Sequence, residues 1–255
     1  MDILATIPAR YASTRFPGKP LAIIDGKPMI QWVWDGVSRI QCVTQAVVAT
    51  DDERIAQAVK AFGGKVMMTG THHRSGTDRC GEVCQRLIEQ GFLKVGSDTV
   101  VVNVQGDEPK VDQTQIEALA QCFIQPDVQI ATLKKEIDNT DDLFSPNVVK
   151  VVDDARGNAI YFSRNPLPFV RDKERNEWLS HRKFFKHVGI YAFRLDVLQQ
   201  VVRLPQSGLE LCESLEQLRW LENGYRIAVR ETHAENIGID TPEDLERLKT
   251  RLIQK

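Results

Sequence analysis

Short apolar runs alternate with stretches whose apolar residues recur every three or four positions, and this rhythm holds through the first half of the chain. Ile3 to Ile7 is an apolar run of strand length, and Pro8 stops it by removing a backbone donor and fixing φ. Pro28 suits the first position of a helix, and Met29, Ile30, Val33, Val37 and Ile40 follow at helical spacing. Gln45 to Thr50 reads as a second strand. Ile55, Ala58, Val59 and Phe62 then mark a helix closed by Gly63 and Gly64. Lys65 to Thr69 is a third strand, and residues 70–79 form a polar loop. Cys80, Val83, Cys84, Leu87 and Ile88 make the inner face of the next helix. Thr99 to Val104 is the most apolar strand, and a helix over about Asp112 to Ile124 comes after it.

Strands and helices in this order predict an α/β fold with a mostly parallel, doubly wound sheet. Such sheets bind ligands outside the carboxyl ends of their strands. The loops at 8–20, 51–52, 70–79 and 105–109 all sit there. The second half reads differently. Val148 to Val152 and Ala159 to Ser163 flank Asp153 to Asn158 as a hairpin would. Residues 165–183 read as a mobile excursion, with proline first and then dense charge. Phe184 to Phe193 resumes a strand, Leu195 to Val202 and Leu209 to Leu221 read as helices, and Arg226 to Glu231 as a strand. Thr241, Pro242, Glu243 and Asp244 open a last helix as N-cap, first position and acidic first turn. The organisation expected is one domain over 1–255, with a smaller mixed or antiparallel lobe inserted at 148–193.

Composition narrows the class of protein. With 255 residues, 42% hydrophobic and 27% charged, the chain is an ordinary globular one with room for a large core. A net charge of −2 points to neither nucleic acid nor a membrane surface as partner. The 5 cysteines are scattered and odd in number, which fits a reducing compartment without a disulfide framework. Met1-Asp2-Ile3 does not begin a secretion signal, and no apolar run approaches the ~18 residues of a membrane span. A cytoplasmic location is the expectation.

The candidate chemistry sits in the loops. Arg10, Arg15 and Lys19 alternate with Ala9, Ala12, Ser13, Thr14 and Gly18, so small residues let the backbone approach a ligand while the cations demand something anionic. A solvated surface loop is the plainer alternative. A Walker-type loop is a poor fit, because Pro20 follows Gly18-Lys19. Gln105-Gly106-Asp107-Glu108-Pro109 puts a carboxylate at a strand end, where Mg²⁺ could sit between protein and phosphate, although Gly-Asp and Glu-Pro pairs also make simple turns. Asp240 is a second such acid, and it could equally serve the helix that opens beside it. His72, His73, Cys80 and Cys84 match no standard zinc spacing. His187 and Tyr191, four apart on a strand, share a face. No Gly-x-Ser-x-Gly elbow supports a serine hydrolase.

These motifs carry a resemblance. Ile7-Pro8-Ala9-Arg10, Phe16 to Leu21, Ala49 to Asp52, His73 with Ser75 to Arg79, and Asn103 to Pro109 resemble the 3-deoxy-manno-octulosonate (KDO) cytidylyltransferases, or CMP-KDO synthetases. Tyr161 to Arg164, His187 to Tyr191, Leu215 to Arg219 and Asp240 to Leu245 continue the match over nearly the whole chain. The resemblance implies a nucleotidyltransferase, Rossmann-like fold and the transfer of CMP from CTP to KDO for lipopolysaccharide. It assigns CTP to Ala9, Arg10, Arg15, Lys19, Asp51, His73, Ser75, Gly76 and Arg79, with Arg10, Lys19 and Asp107 catalytic. It assigns Mg²⁺ to Asp107 and Asp240. The sugar acid falls to Gln105, Arg164, His187, Tyr191, Glu216 and Gln217, with Arg164 facing the sugar carboxylate. It further implies a homodimer joined through the second-half lobe. Asn165-Pro166 and the charged residues 170–183 depart from the family pattern, which leaves room for an 8-amino analogue of KDO. Another acidic sugar, or a silent nucleotide-binding regulator, are the remaining alternatives.

Overall fold

In a computed structural model the described residues are 1–12, 15–96, 98–235, 238–239 and 241–253, with side chains described up to 248. The expected metal acid Asp240, and Ser13 and Thr14 of the first loop, lie outside them. In chain order the elements are β1 (Asp2–Pro8), β2 (Ile23–Ile24), β3 (Lys27–Pro28), α1 (Met29–Ser38), β4 (Gln45–Thr50), α2 (Glu53–Ala61), β5 (Val66–Met68), α3 (Gly76–Glu89), β6 (Thr99–Asn103) and α4 (Gln113–Cys122). They continue with β7 (Ile130–Ile137), α5 (Thr140–Phe144), β8 (Lys150–Asp153), β9 (Ala159–Ser163), α6 (Trp178–His181), β10 (Phe184–Arg194), α7 (Leu195–Val201), α8 (Gly208–Glu213), α9 (Glu216–Glu222), β11 (Ile227–Glu231) and α10 (Pro242–Ile253). Two compact units emerge: residues 1–117, 194–202 and 235–255 form the first, and residues 118–193 and 203–234 the second. The second unit is thus larger than the lobe expected at 148–193.

The first unit is built on β1, whose Ile3, Leu4, Ala5 and Ile7 are all buried. A strand covered on both faces needs apolar residues at successive positions, which is why the run does not alternate. Parallel pairing sets the order β6-β1-β4-β5. Register then fixes the geometry of the site. Thr6 lies opposite Asn103, Pro8 opposite Ala49, and Thr50 opposite Met68. The loops that follow these strands therefore leave one edge of the sheet together. Buried faces of α1 (Met29, Ile30, Val33, Val37), α2 (Ile55, Ala56, Val59) and α3 (Cys80, Val83, Cys84, Leu87) supply the helical layers. Burial pushes the Cys84 thiol up to about 12, which marks it as a core residue. Pro28 stands at the N-cap of α1, one place earlier than expected, because it also closes the short β2–β3 hairpin. Ile24, Met29, Ile239, Leu245 and Leu248 form an apolar cluster against which Phe16 and Trp32 pack, so the end of the first loop is tied to α10.

The second unit is mixed. β7 pairs with β11 in parallel and with β10 antiparallel, and β8 and β9 form the expected hairpin. β7 and α5 were not anticipated, since Lys134, Lys135 and Glu136 break the apolar pattern of β7. Residues 165–183 are not a free excursion. Trp178 is buried in a cluster with Ile137, Leu143, Val170 and Phe184, and its ring stacks on that of Phe184 at 6.1 Å. The expected helix from Leu209 to Leu221 is two helices. Ser214 adopts φ 52° between them, and Ser163 Oγ (2.6 Å) and the Arg164 N–H (2.9 Å) donate to the Glu213 carboxylate just before the break.

Candidate active site

The edge where β1, β4, β5 and β6 end holds a cavity of about 410 Å³. Its walls come from three loops that the sequence singled out: described residues between Pro8 and Pro20, His73 to Gly76 with Arg79, and Gln105 to Asp107. Arg10, Arg15, Lys19, Arg74 and Arg79 line it, with Asp107 as the carboxylate. A cavity this rich in cations, with one acid among the described residues that line it, suits a polyphosphate.

Each wall has a local cause. The first loop folds back on itself, for the Gly18 N–H donates to the Tyr11 carbonyl (2.9 Å) and Gly18 takes φ 72°. A Cβ there would also lie 3.0 Å from the Tyr11 ring, so glycine is needed on two counts. Lys19 follows at once, nearly buried. Its Nζ donates to Asp107 Oδ2 (2.6 Å) and to the Ile239 carbonyl (2.7 Å). The Ile239 N–H in turn donates to the Asp107 carbonyl (3.0 Å), so the first loop, the β6 loop and the approach to α10 interlock. Gly106 makes the β6 loop fit, since a Cβ there would stand 2.5 Å from the Pro8 carbonyl oxygen.

The third wall is the start of α3. Ser75 Oγ accepts from the Asp78 N–H (3.1 Å) and Asp78 Oδ2 accepts from the Ser75 N–H (3.2 Å), a capping box that fixes this helix end beside the cavity. Gly76 lets this helix end approach Pro8, for a Cβ would lie 3.3 Å from the proline ring. Arg79, one turn on, is buried. Its guanidinium donates to Asp51 (2.5 Å), Thr69 Oγ1 (2.7 Å) and the Gly70 carbonyl (3.2 Å). Asp51, expected to contact nucleotide, is paired with the Arg79 guanidinium and is not among the residues lining the cavity. Ala9, buried, and Arg10, exposed, both line it.

The residues expected to read a sugar acid, other than Gln105, belong to the second unit. A bulge in β10 leaves His187 opposite Lys134 and Tyr191 opposite Thr132. Both separations are even, so the two rings share a face as predicted, with centroids 5.2 Å apart. Thr132 Oγ1 spends its one proton on the Ile190 carbonyl (2.8 Å), so at 2.9 Å it accepts from His187 Nε2. Burial pushes the His187 imidazole down to about 3, so the ring is neutral and offers Nδ1 as an acceptor. The Tyr191 hydroxyl is buried, has no partner among the described residues, and is raised well above its usual range by burial and by Glu216.

Arg164, expected to face the sugar carboxylate, is held by three backbone carbonyls. It donates from Nε to the Glu213 carbonyl (2.7 Å), from Nη1 to the Pro146 carbonyl (2.9 Å) and from Nη2 to the Ser214 carbonyl (3.4 Å). Three of its five N–H groups are so engaged, and two remain for a ligand. Glu216 accepts from Arg219 Nη2 (3.0 Å), and Gln217 is buried one residue on. Sequence reasoning passed over Glu82 and Thr132, which hold His73 and His187 in place. Their only signal was polarity within otherwise amphipathic or apolar stretches.

The cation site can be tested on its donors. Among the described residues no three carboxylate, imidazole or thiol groups cluster as a metal cage. Magnesium needs none, because it binds through one or two carboxylates and takes its other oxygens from phosphate and water. Asp107, a hard oxygen donor at the cavity wall with its side chain 33% exposed, fits a metal of that kind.

Comparison with known proteins agrees with this geometry. A family model described as cytidylyltransferase matches residues 4–237. A "3-deoxy-manno-octulosonate cytidylyltransferase" of Phocaeicola vulgatus is 54% identical over 259 aligned residues, covering 100% of this chain and 99% of that protein. One of the same name from Parabacteroides distasonis is also 54% identical, covering 97% of this chain and 96% of the other. A solved CMP:2-keto-3-deoxy-manno-octonic acid synthetase complexed with CTP is 42% identical and superposes with a TM-score of 0.90, covering 100% of this chain and 99% of that one. The chain belongs to the cytidylyltransferase family, in the branch formed by the 3-deoxy-manno-octulosonate cytidylyltransferases.

Proposed function

We propose that the protein transfers CMP from CTP to the anomeric hydroxyl of KDO, giving CMP-KDO and pyrophosphate for lipopolysaccharide assembly. The observation that carries this reading is the cationic cavity at the sheet edge with Asp107 in its wall, in a chain half identical to relatives bearing that name. The anomeric oxygen attacks the α-phosphorus of CTP. A new O–P bond forms, the bond from that phosphorus to the bridging oxygen breaks, and pyrophosphate leaves with the electron pair. The hydroxyl loses its proton to solvent as the bond forms. Such a displacement needs alignment and charge neutralisation more than a special nucleophile.

Arg10, Arg15 and Lys19 face the phosphates and offset the charge that develops on the leaving group. The α3 N-terminus with Ser75 and Gly76, and Arg79 held by Asp51, bound the rest of the nucleotide. Asp107, and Asp240 by the family pattern, would hold Mg²⁺, which supplies further charge neutralisation at phosphate oxygens when bound. On the second unit, His187 Nδ1, the Tyr191 hydroxyl, Glu216 and Gln217 offer the mixed donors and acceptors that a polyhydroxy acid requires. The two unspent N–H groups of Arg164 suit its carboxylate.

Two coarser features complete the reading. Ile160 and Phe169, 60% and 76% exposed on and beside the β8–β9 hairpin, support a homodimer formed through this lobe. Light scattering would show a dimer for the native chain and a monomer for Ile160→Lys with Phe169→Lys; a native monomer rules the dimer out. The five cysteines are all free, and no helix among the described residues is long and apolar enough to cross a membrane, which supports a cytoplasmic enzyme.

Pyrophosphate release from CTP and Mg²⁺ tests the function, with KDO, 8-amino-KDO and sialic acid in parallel and Asp107→Ala as control. Release with KDO, absent in the variant, is the expected result. Release with another sugar only would move the assignment to that sugar, and release with none would leave a nucleotide binder without turnover.

A further inference from the structure

Glu82 lies on α3 three residues beyond Arg79, behind the cavity wall. Its Oε2 accepts from the Gly70 N–H (2.8 Å) and meets Nε2 of His73. Its Oε1 accepts from Arg86 through Nε (2.8 Å) and Nη2 (2.6 Å). Burial acts to raise the Glu82 carboxyl, but the Gly70 N–H, His73 and Arg86 outweigh it and hold the group at about 2. A carboxylate that stays ionised has no proton to give, so the hydrogen between it and His73 belongs to Nε2. The His73 side chain is 11% exposed and packs against the His72 ring at 4.3 Å, which restricts the ring further. Its Nδ1 makes no hydrogen bond among the described residues, and the ring lines the cavity.

We propose that Glu82 is a positioning residue for nucleotide binding, fixing His73 with Nε2–H turned to α3 and Nδ1 offered to the nucleotide. The proposal rests on the reading of the cavity as the CTP site. The arrangement has a clear purpose in a loop. His73 sits in a turn before a helix, where a side chain with two free χ angles would sample many orientations. A carboxylate on the rigid helix, itself held by a backbone N–H and an arginine, removes that freedom before the ligand arrives. Two ring nitrogens are thereby made unequal, one structural and one functional.

The test begins with the native protein. Long-range ¹H–¹⁵N spectra of histidine-labelled protein at pH 8 should show His73 in the Nε2–H form, and addition of CTP should shift its Nδ1 signal. In Glu82→Ala the ring should relax toward a mixture of tautomers, while Glu89→Ala, at an exposed side chain of the same helix that bonds Gln85, should keep the native pattern. By calorimetry Glu82→Ala should weaken CTP binding about tenfold, the scale of one hydrogen bond to a charged group. His73→Ala should weaken it as much, and the double variant no further, because Glu82 acts through His73. An Nδ1–H form in the native protein overturns the proposal, as does a double variant whose losses multiply. No binding of CTP to the native protein would instead overturn the reading of the cavity, and the proposal with it. CTP binding with His73 unmoved overturns the role of the pair alone.

Discussion

The Nζ of Lys19 lies 2.6 Å from Oδ2 of Asp107, so the cation expected at the phosphates is bound to the acid expected at the metal. In the free protein the ammonium occupies an oxygen that a divalent ion would need. Lys19→Met removes both the competitor and the like charge. It should tighten Mn²⁺ binding to the nucleotide-free protein by roughly tenfold, while weakening CTP binding, because a charge-assisted contact to phosphate is lost. Titration followed by electron paramagnetic resonance reads the first effect. An unchanged Mn²⁺ affinity would show that the pair does not compete with metal.

Gly106→Ala places a methyl group against the Pro8 carbonyl, a backbone atom that cannot rotate away. The β6 loop must move, carrying Asp107 with it. A stability loss of about 1–3 kcal/mol is expected by urea unfolding. A fall in kcat/KM on the order of 100-fold should accompany it, because reacting groups shifted by an ångström lose alignment. Near-native turnover would show that the loop tolerates the shift.

Tyr191→Phe separates binding from folding. The hydroxyl is buried without a partner among the described residues, so its removal should leave stability unchanged or raise it by about 1 kcal/mol. The KM for the sugar acid should rise and CTP affinity should stay the same. A marked drop in melting temperature would mean that the hydroxyl has a structural partner.

His187 sets an acid limit. Its folded value of about 3 lies below the ordinary 6.5, so between these values the unfolded chain binds the extra proton. Its contribution to stability is complete above about pH 6.5 and is lost as pH falls toward 3, with a slope of up to about 1.4 kcal/mol per pH unit. Urea midpoints from pH 4 to pH 8 for the native chain and His187→Gln would show the difference. A native profile that is no steeper than the variant's would contradict the burial argument.

Much of the site was legible because it lies where secondary structure ends. Apolar runs stop at Pro8, Asp51 and Gln105, and the residues past them can only be in loops at one edge of a parallel sheet. Pairings made across the fold were not legible. Nothing in the spacing of Asp51 and Arg79 says that one neutralises the other, and Glu82 reads as one more polar residue on an amphipathic helix. The break at Ser214 was hidden too. A left-handed residue at serine leaves no trace when the carboxylate that stabilises the turn is captured by Ser163 and Arg164, fifty residues earlier. β7 escaped because its charged residues, such as Lys134, are neutralised by partners such as Asp153 that sequence does not pair.

The anchoring of Trp178 changes what a cut in the chain would mean. Arg171, Lys173 and Arg175 are exposed just ahead of it, an open invitation to trypsin. Beyond that point Trp178 is wedged into its cluster, β10 is zipped to β7 from Phe184 onward, and the Glu213 carboxylate grips Ser163 from the other fragment. Nicked protein should therefore run as two pieces on a denaturing gel and as one particle on a sizing column, a natural pair of fragments that could be expressed apart and recombined.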